Sequence, residues 1–239
     1  MSHPLSQVKA LTFDVFGTVV DWRSSIVREV ETLLGERGLR VDAARFADAW
    51  RGLYQPSMER VRAGGRPWAR LDDLHRESLR RLVADFGVQG LTEADLDHLN
   101  RAWHRLDPWP DVVPGLVRLR RRFILATLSN GNVALLVNMA RRAGLPWDAI
   151  LGAEVARAYK PQPEAYLVTA DLLGLEPAAC LMVAAHNGDL AAARGLGFRT
   201  AFVPRPAEHG PGQTRDLRPQ QDWDLVVEDF LDLARRLDC

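Results

Sequence analysis

The sequence predicts an α/β fold, an open parallel sheet flanked by helices, with a helical segment inserted after the first strand. Three observations support this. A short apolar run, Val8 to Phe13, ends at an acid and a Gly-Thr turn; about eighty residues of purely helical periodicity follow; and from Val112 onward apolar strand-like runs alternate with helical ones. Alternation of that kind implies parallel βαβ units with right-handed crossovers.

The first run reads as a buried strand whose end opens at Asp14 into the turn at Gly17-Thr18. Between Trp22 and about Asp107 the apolar positions fall at helical spacing: Ile26, Val30, Leu33 and Leu34, then Phe46, Trp50, Leu53 and Tyr54, then Leu71, Leu74, Leu79 and Leu82. No strand is expected there. Pro108, Pro110 and Pro114 mark the return to the sheet. Strands are then predicted at Phe123 to Leu128, Leu181 to Ala185 and Arg199 to Val203. Helices are predicted at Val133 to Ala143, Ala165 to Leu173 and Leu190 to Leu196, and from Glu228 onward. Pro204 to Gln221, rich in Pro, Gly and Arg, reads as a surface loop. The division that follows is a core of residues 1–21 and 109–239 and a helical cap of 22–108.

A chain of 239 residues, 47% hydrophobic, can build one such domain with a sizeable insertion. Its 31 basic residues balance its 31 acidic ones, so no net field recommends nucleic acid or an anionic membrane as partner, and a small molecule is the expected ligand. Two cysteines, Cys180 and Cys239, make neither a disulfide framework nor a thiol catalyst. Met1 to Lys9 lacks an apolar signal core, and no apolar run approaches the roughly 18 residues of a membrane span. A cytoplasmic location is expected.

In an open parallel sheet ligands gather at the carboxyl ends of the strands. Four polar groups fall at such places. Asp14, in Phe13-Asp14-Val15-Phe16-Gly17-Thr18, is a carboxylate presented at a strand end, either as a nucleophile or as a turn cap. Ser129-Asn130 precedes a helix and suits an anion, although Ser129 could equally cap that helix. Lys160 stands between Tyr159 and Pro161-Gln162-Pro163, whose prolines exclude helix around it and present a fixed charge that would keep Asp14 ionised. His186, Asn187 and Asp189 follow the apolar run Leu181-Met182-Val183; Asp189 is either functional or a first-turn acid favoured by the helix dipole.

Taken in order, Asp14 with Gly17-Thr18, Ser129-Asn130, Lys160-Pro161 and Asp189 resemble the four-motif signature of the HAD superfamily. The resemblance spans nearly the whole chain. It implies a Rossmann-like core and an aspartyl-ester intermediate. Phosphatases of that superfamily carry a second Asp two residues after the nucleophile, as general acid for the leaving alkoxide. This chain has Phe16, and a halide leaves without a proton, so the pattern is similar to the L-2-haloacid dehalogenase branch. Tyr166, six residues after Lys160, and Trp50-Arg51, like that family's halide-receiving arginine, support the same branch.

The resemblance implies an inverting displacement on a short 2-haloacid, with halide and 2-hydroxyacid as products. Asp14, Lys160, Asp189, His186 and Thr18 would be catalytic, and Ser129, Asn130, Arg51, Phe16, Val15, Tyr166 and Asn187 would bind substrate. No metal or other cofactor is implied, and a homodimer is. The last motif departs from the serine-rich form of many dehalogenases: Ala184-Ala185-His186-Asn187-Gly188-Asp189 lacks the hydroxyls. His186 is the available substitute, orienting water or accepting its proton near neutral pH. A Mg²⁺-dependent phosphatase, with Asp14 and Asp189 as ligands, is the rival reading.

Overall fold

The structure, a computed structural model, describes residues 5–239; part of the expectation for Met1 to Lys9, and the first four residues of the predicted core, lie outside the described residues. In chain order the elements are β1 (Ala10–Phe13), β2 (Val20–Asp21), α1 (Trp22–Glu36), α2 (Ala43–Gly52), α3 (Tyr54–Arg62), α4 (Leu71–Asp85), α5 (Glu93–Asn100), β3 (Asp107–Pro108), α6 (Val112–Leu119) and β4 (Ile124–Ser129). They continue as α7 (Val133–Ala143), β5 (Ala149–Gly152), α8 (Ala153–Ala156), α9 (Pro163–Leu172), β6 (Cys180–Ala184), α10 (Asn187–Gly195), β7 (Arg199–Phe202), β8 (Leu225–Val226) and α11 (Phe230–Arg236).

Six strands form one sheet in the order β5-β4-β1-β6-β7-β8, every neighbouring pair parallel. β1 is central because all four of its residues are fully buried and its side chains serve both faces. Leu11 and Phe13 point into one apolar cluster with Leu181 and Val183, while Ala10 joins Cys180, Met182 and Ala184 in the other. This period of two, apolar on both sides, is the pattern of a sheet covered by helices on both faces.

The helical segment α1 to α5 leaves and re-enters the sheet domain at a single place. Val20 pairs with Pro108 and Asp21 with Asp107, so the two crossings lie side by side as a short antiparallel ladder. Asp21 also starts α1, its side chain accepting the Ser24 N–H, and Asp42 and Thr92 cap α2 and α5 in the same way. The segment is welded to the loop after β1 by aromatic packing. Trp103 lies 4.4 Å from the His75 ring, 5.4 Å from Trp50 and 6.0 Å from Phe16 between ring centroids.

Several expectations need correction. β5 and β8 were not foreseen: each is too short and too weakly apolar to stand out from its flanks, and each is stabilised by ladder pairing with the neighbouring strand. Pro163 does not exclude helix; it is the first residue of α9, where a missing N–H goes unnoticed. The segment Pro204 to Gln221 is not wholly a surface loop. Arg205 and Glu208 are buried, Arg205 in a two-bond pair with Asp111 at 2.8 Å, and the chain there folds back toward the end of β1. Among the described residues no helix is long and apolar enough to cross a membrane.

Candidate active site

Asp14 is the first residue past β1, and its N–H still donates to the Val183 carbonyl, so the ladder fixes where its carboxylate emerges. Three residues on, Gly17 takes a φ of +91°, and a Cβ there would lie 2.1 Å from Glu208 Oε1. Only glycine makes this turn and admits the Glu208 side chain beneath it.

The Asp14 carboxylate is surrounded by donors. Lys160 Nζ donates to Oδ1 at 3.0 Å; the Thr18 hydroxyl donates to Oδ2 at 2.7 Å; and His186 Nδ1 lies 3.0 Å from the same Oδ2. Burial on its own would raise this carboxyl, but Lys160, His186 and Thr18 outweigh it and hold Asp14 far below the usual carboxylate range. Lys160 is itself buried, which would lower it, yet the carboxylates of Asp14 and Asp189 raise it above its ordinary value. Its Nζ donates to both, reaching Asp189 Oδ2 at 2.5 Å, while the Tyr166 hydroxyl donates to Asp189 Oδ1 at 2.6 Å. Lys160 is held in place by its own N–H, which donates to Asn130 Oδ1, and by its carbonyl, which accepts from Arg62 of α3.

These groups line a cavity of about 380 Å³ at the carboxyl ends of β1 and β6, bounded by Asp14, Phe16, Asn130, Lys160, Tyr166, His186 and Asp189 from the sheet side and by Arg51 and Tyr54 from the helical segment. Arg51 lies over aromatic rings, its guanidinium carbon 4.1 Å from the Tyr54 centroid and 5.2 Å from that of Trp22. Its Nη1 is buried and has no hydrogen-bond partner among the described residues. A half-buried cation with a buried, unused donor at a cavity wall is suited to an anion.

Of the residues singled out in the sequence, the structure brings Asp14, Phe16, Arg51, Asn130, Lys160, Tyr166, His186 and Asp189 to this cavity. Thr18 sits behind it, bonded to Asp14 and accepting the Ala185 N–H. The other three lie elsewhere. Ser129 is fully buried and its hydroxyl accepts the Gly131 N–H within the turn after β4, while the N-cap of α7 is Asn132 and not Ser129. Val15 is fully buried, and its carbonyl closes the turn by accepting from Val19 and Val20. Asn187 donates to Asp216 and to the Arg218 carbonyl and accepts from Trp223 Nε1, so it pins the chain after Gly212 rather than a substrate.

His186 also differs from expectation. Its Nε2 meets Glu208 Oε2 at 2.9 Å, so the ring bridges two buried carboxylates. Burial would lower the imidazole, but Glu208 and Asp14 push it up to about 10. At neutral pH both ring nitrogens carry protons and both are engaged, leaving no lone pair to accept a proton from water. Its side chain does not cap α10 either. Glu208, which accepts from Trp22 Nε1 at 3.1 Å and meets His186, lines the cavity and was not singled out in the sequence.

The family model for haloacid dehalogenase-like hydrolases matches residues 8–197. The chain belongs to that family. Among its relatives an (S)-2-haloacid dehalogenase of Xanthobacter autotrophicus is 30% identical over 200 residues, 83% of this chain and 76% of the other. A crystal structure of a defluorinating L-2-haloacid dehalogenase is 50% identical with a TM-score of 0.95, covering 97% of this chain and 96% of that one. Another, of the X. autotrophicus L-2-haloacid dehalogenase with chloropropionic acid covalently bound, is 27% identical with a TM-score of 0.79, covering 97% of this chain and 98% of that one. The haloacid dehalogenase-like fold thus accounts for the six-stranded parallel sheet flanked by helices.

Proposed function

We propose that this haloacid dehalogenase-like hydrolase is an (S)-2-haloacid dehalogenase, converting short 2-haloacids to 2-hydroxyacids through an ester on Asp14. The observation that carries the reading is the lone-pair count at Asp14. Among the described residues, Oδ2 has both in-plane lone pairs taken, by Thr18 and His186, whereas Oδ1 has one taken by Lys160 and one free. Oδ1 is the attacking atom. It displaces halide from the opposite side of the substrate's C2, with inversion, and the C–O bond forms as the C–X bond breaks. Arg51 receives the halide, and Phe16 supplies an apolar wall where a phosphatase would carry its general acid. The names of the relatives support the same substrate class.

Residues 22–108 act in this reading as a cap that brings Arg51 over the site. Replacing Arg51 by Ala should slow alkylation on the order of 10²-fold, as loss of one preorganised donor to a developing anion does, and leave ester hydrolysis unchanged. Single-turnover halide release over chloroacetate measures it; an unchanged alkylation rate would remove Arg51 from the halide site.

Halide release and hydroxyacid formation over chloroacetate, fluoroacetate and both enantiomers of 2-chloropropionate test the function itself. Turnover of the S enantiomer to the R hydroxyacid is expected. Activity should also survive exhaustive chelation, because Lys160 Nζ sits between Asp14 and Asp189 where a bridging cation would have to lie. Absence of halide release, with phosphate ester hydrolysis restored by Mg²⁺, would move the assignment to a phosphatase.

A further inference from the structure

Alkylation at Oδ1 leaves Oδ2 as the carbonyl oxygen of the ester, and that changes what its two partners do. The Thr18 hydroxyl at 2.7 Å and His186 Nδ1 at 3.0 Å both aim at the one atom on which negative charge develops when water adds to the ester carbon. We propose that Thr18 Oγ–H and His186 Nδ1–H form the oxyanion hole for hydrolysis of the Asp14 ester, and that Glu208 is a positioning residue which holds the His186 ring charged and aimed. The proposal rests on the dehalogenase reading above and assigns His186 the opposite of a base's role.

The atoms balance as follows. Water oxygen bonds to Asp14 Cγ, the carbonyl electron pair moves onto Oδ2, and the water proton passes to Asp189, a carboxylate of the cavity wall that shares Lys160 with Asp14. The Oδ2 pair then returns, the Cγ–Oδ1 bond breaks, and the departing alkoxide takes the proton back from Asp189 as the 2-hydroxyacid. The new Asp14 carboxyl sheds its remaining proton to solvent.

Glu208 is built for its part. It is 1% exposed, its Oε1 accepts from Trp22 Nε1 at 3.1 Å, and its Oε2 meets His186 Nε2 at 2.9 Å. The glycine at position 17 clears the space that its carboxylate fills. The ring is therefore held at its Nε2 edge, opposite the nitrogen that faces Asp14, by a second buried carboxylate. Burial would raise the Glu208 carboxyl, but His186 and then Arg51 lower it, so it stays ionised. The other charged or titratable groups around His186 are Asp14 from the end of β1, Lys160 before α9, Arg51 from α2, Asp189 from α10, His209 beside Glu208, and Arg215 and Asp216 from the chain before β8.

The test is rapid-quench mass spectrometry of the full-length enzyme with chloroacetate across a pH series, for wild type, His186→Ala and Glu208→Gln. His186→Ala should release one halide per site promptly, then hydrolyse the ester about 10²–10³-fold more slowly, so that an alkylated Asp14 accumulates. In the wild type, hydrolysis should be flat through neutral pH and fall on the alkaline side, at or below about 10 because Asp14 is neutral in the ester. Glu208→Gln keeps the shape and removes the remaining anion, so that fall should move to lower pH. The sign is decisive, since a histidine acting as general base would make hydrolysis rise with pH over the same limb. Such a rise, or His186→Ala with both steps still synchronous and no adduct, would overturn the oxyanion assignment; an unmoved limb in Glu208→Gln would overturn the role of Glu208. Lack of any halide release by the wild type would instead defeat the dehalogenase reading.

Discussion

Replacing Asp14 by Asn should abolish turnover, a loss on the order of 10⁴-fold or more, while the protein still folds. An amide oxygen is a weak nucleophile, and the side chain is not part of either apolar cluster. The amide still offers an oxygen to one of its former donors, and Lys160 keeps its bond to Asp189. Circular dichroism and thermal melting would report the fold, and steady-state halide release the activity. A variant retaining more than a hundredth of wild-type activity would show that Asp14 is not the nucleophile.

Lys160→Met should produce the second large effect, on stability and rate together. The lysine is the shared partner of two buried carboxylates, and removing it takes away the cation between Asp14 and Asp189, leaving His186 on Asp14 alone. Breaking a buried pair in this way costs about 3–5 kcal/mol, and alkylation should slow by at least ~10²-fold as the nucleophile becomes harder to keep ionised. The pH dependence has a definite sign. In the wild type the depressed Asp14 carboxyl contributes stability that is present above its unfolded value near 3.8 and lost as pH falls toward the folded value. Without Lys160 burial is less opposed, the folded carboxyl rises, and protonation relieves the repulsion. The gap in melting temperature between wild type and variant should therefore narrow as pH is lowered from neutral toward about 4; a gap that is constant or widens would mean the carboxylates are compensated by another group.

Much of this site could be read from the sequence because its parts lie at the ends of apolar runs. Asp14 after Phe13 and Asp189 in the first turn of α10 were placed by hydrophobic pattern, and Lys160 by its prolines. Arg51 and Tyr166 followed from resemblance, and both line the cavity. What could not be read depends on contacts between distant segments. Glu208 sits in a stretch whose composition says only loop, and its value comes from Trp22, 186 positions earlier, and from the ring of His186. The same contact reverses the protonation of His186, which as an isolated imidazole would titrate near neutrality. Ser129 and Asn187 were misplaced for a related reason. Each has a side chain able to bind either ligand or backbone, and only the folded chain shows that a Gly131 N–H and the Asp216 to Trp223 region claim them. β5 escaped because a four-residue strand draws its identity from the β4 ladder beside it.

The central claim, a covalent ester on Asp14, is tested most directly by one turnover of enzyme in excess over S-2-chloropropionate in ¹⁸O-water, followed by peptide mass analysis. If water attacks Asp14 Cγ, the heavy oxygen appears in the peptide containing Asp14 and the first-formed hydroxyacid carries none. Heavy oxygen in the hydroxyacid, with an unlabelled Asp14, would mean that water displaces the halide directly and would contradict the account.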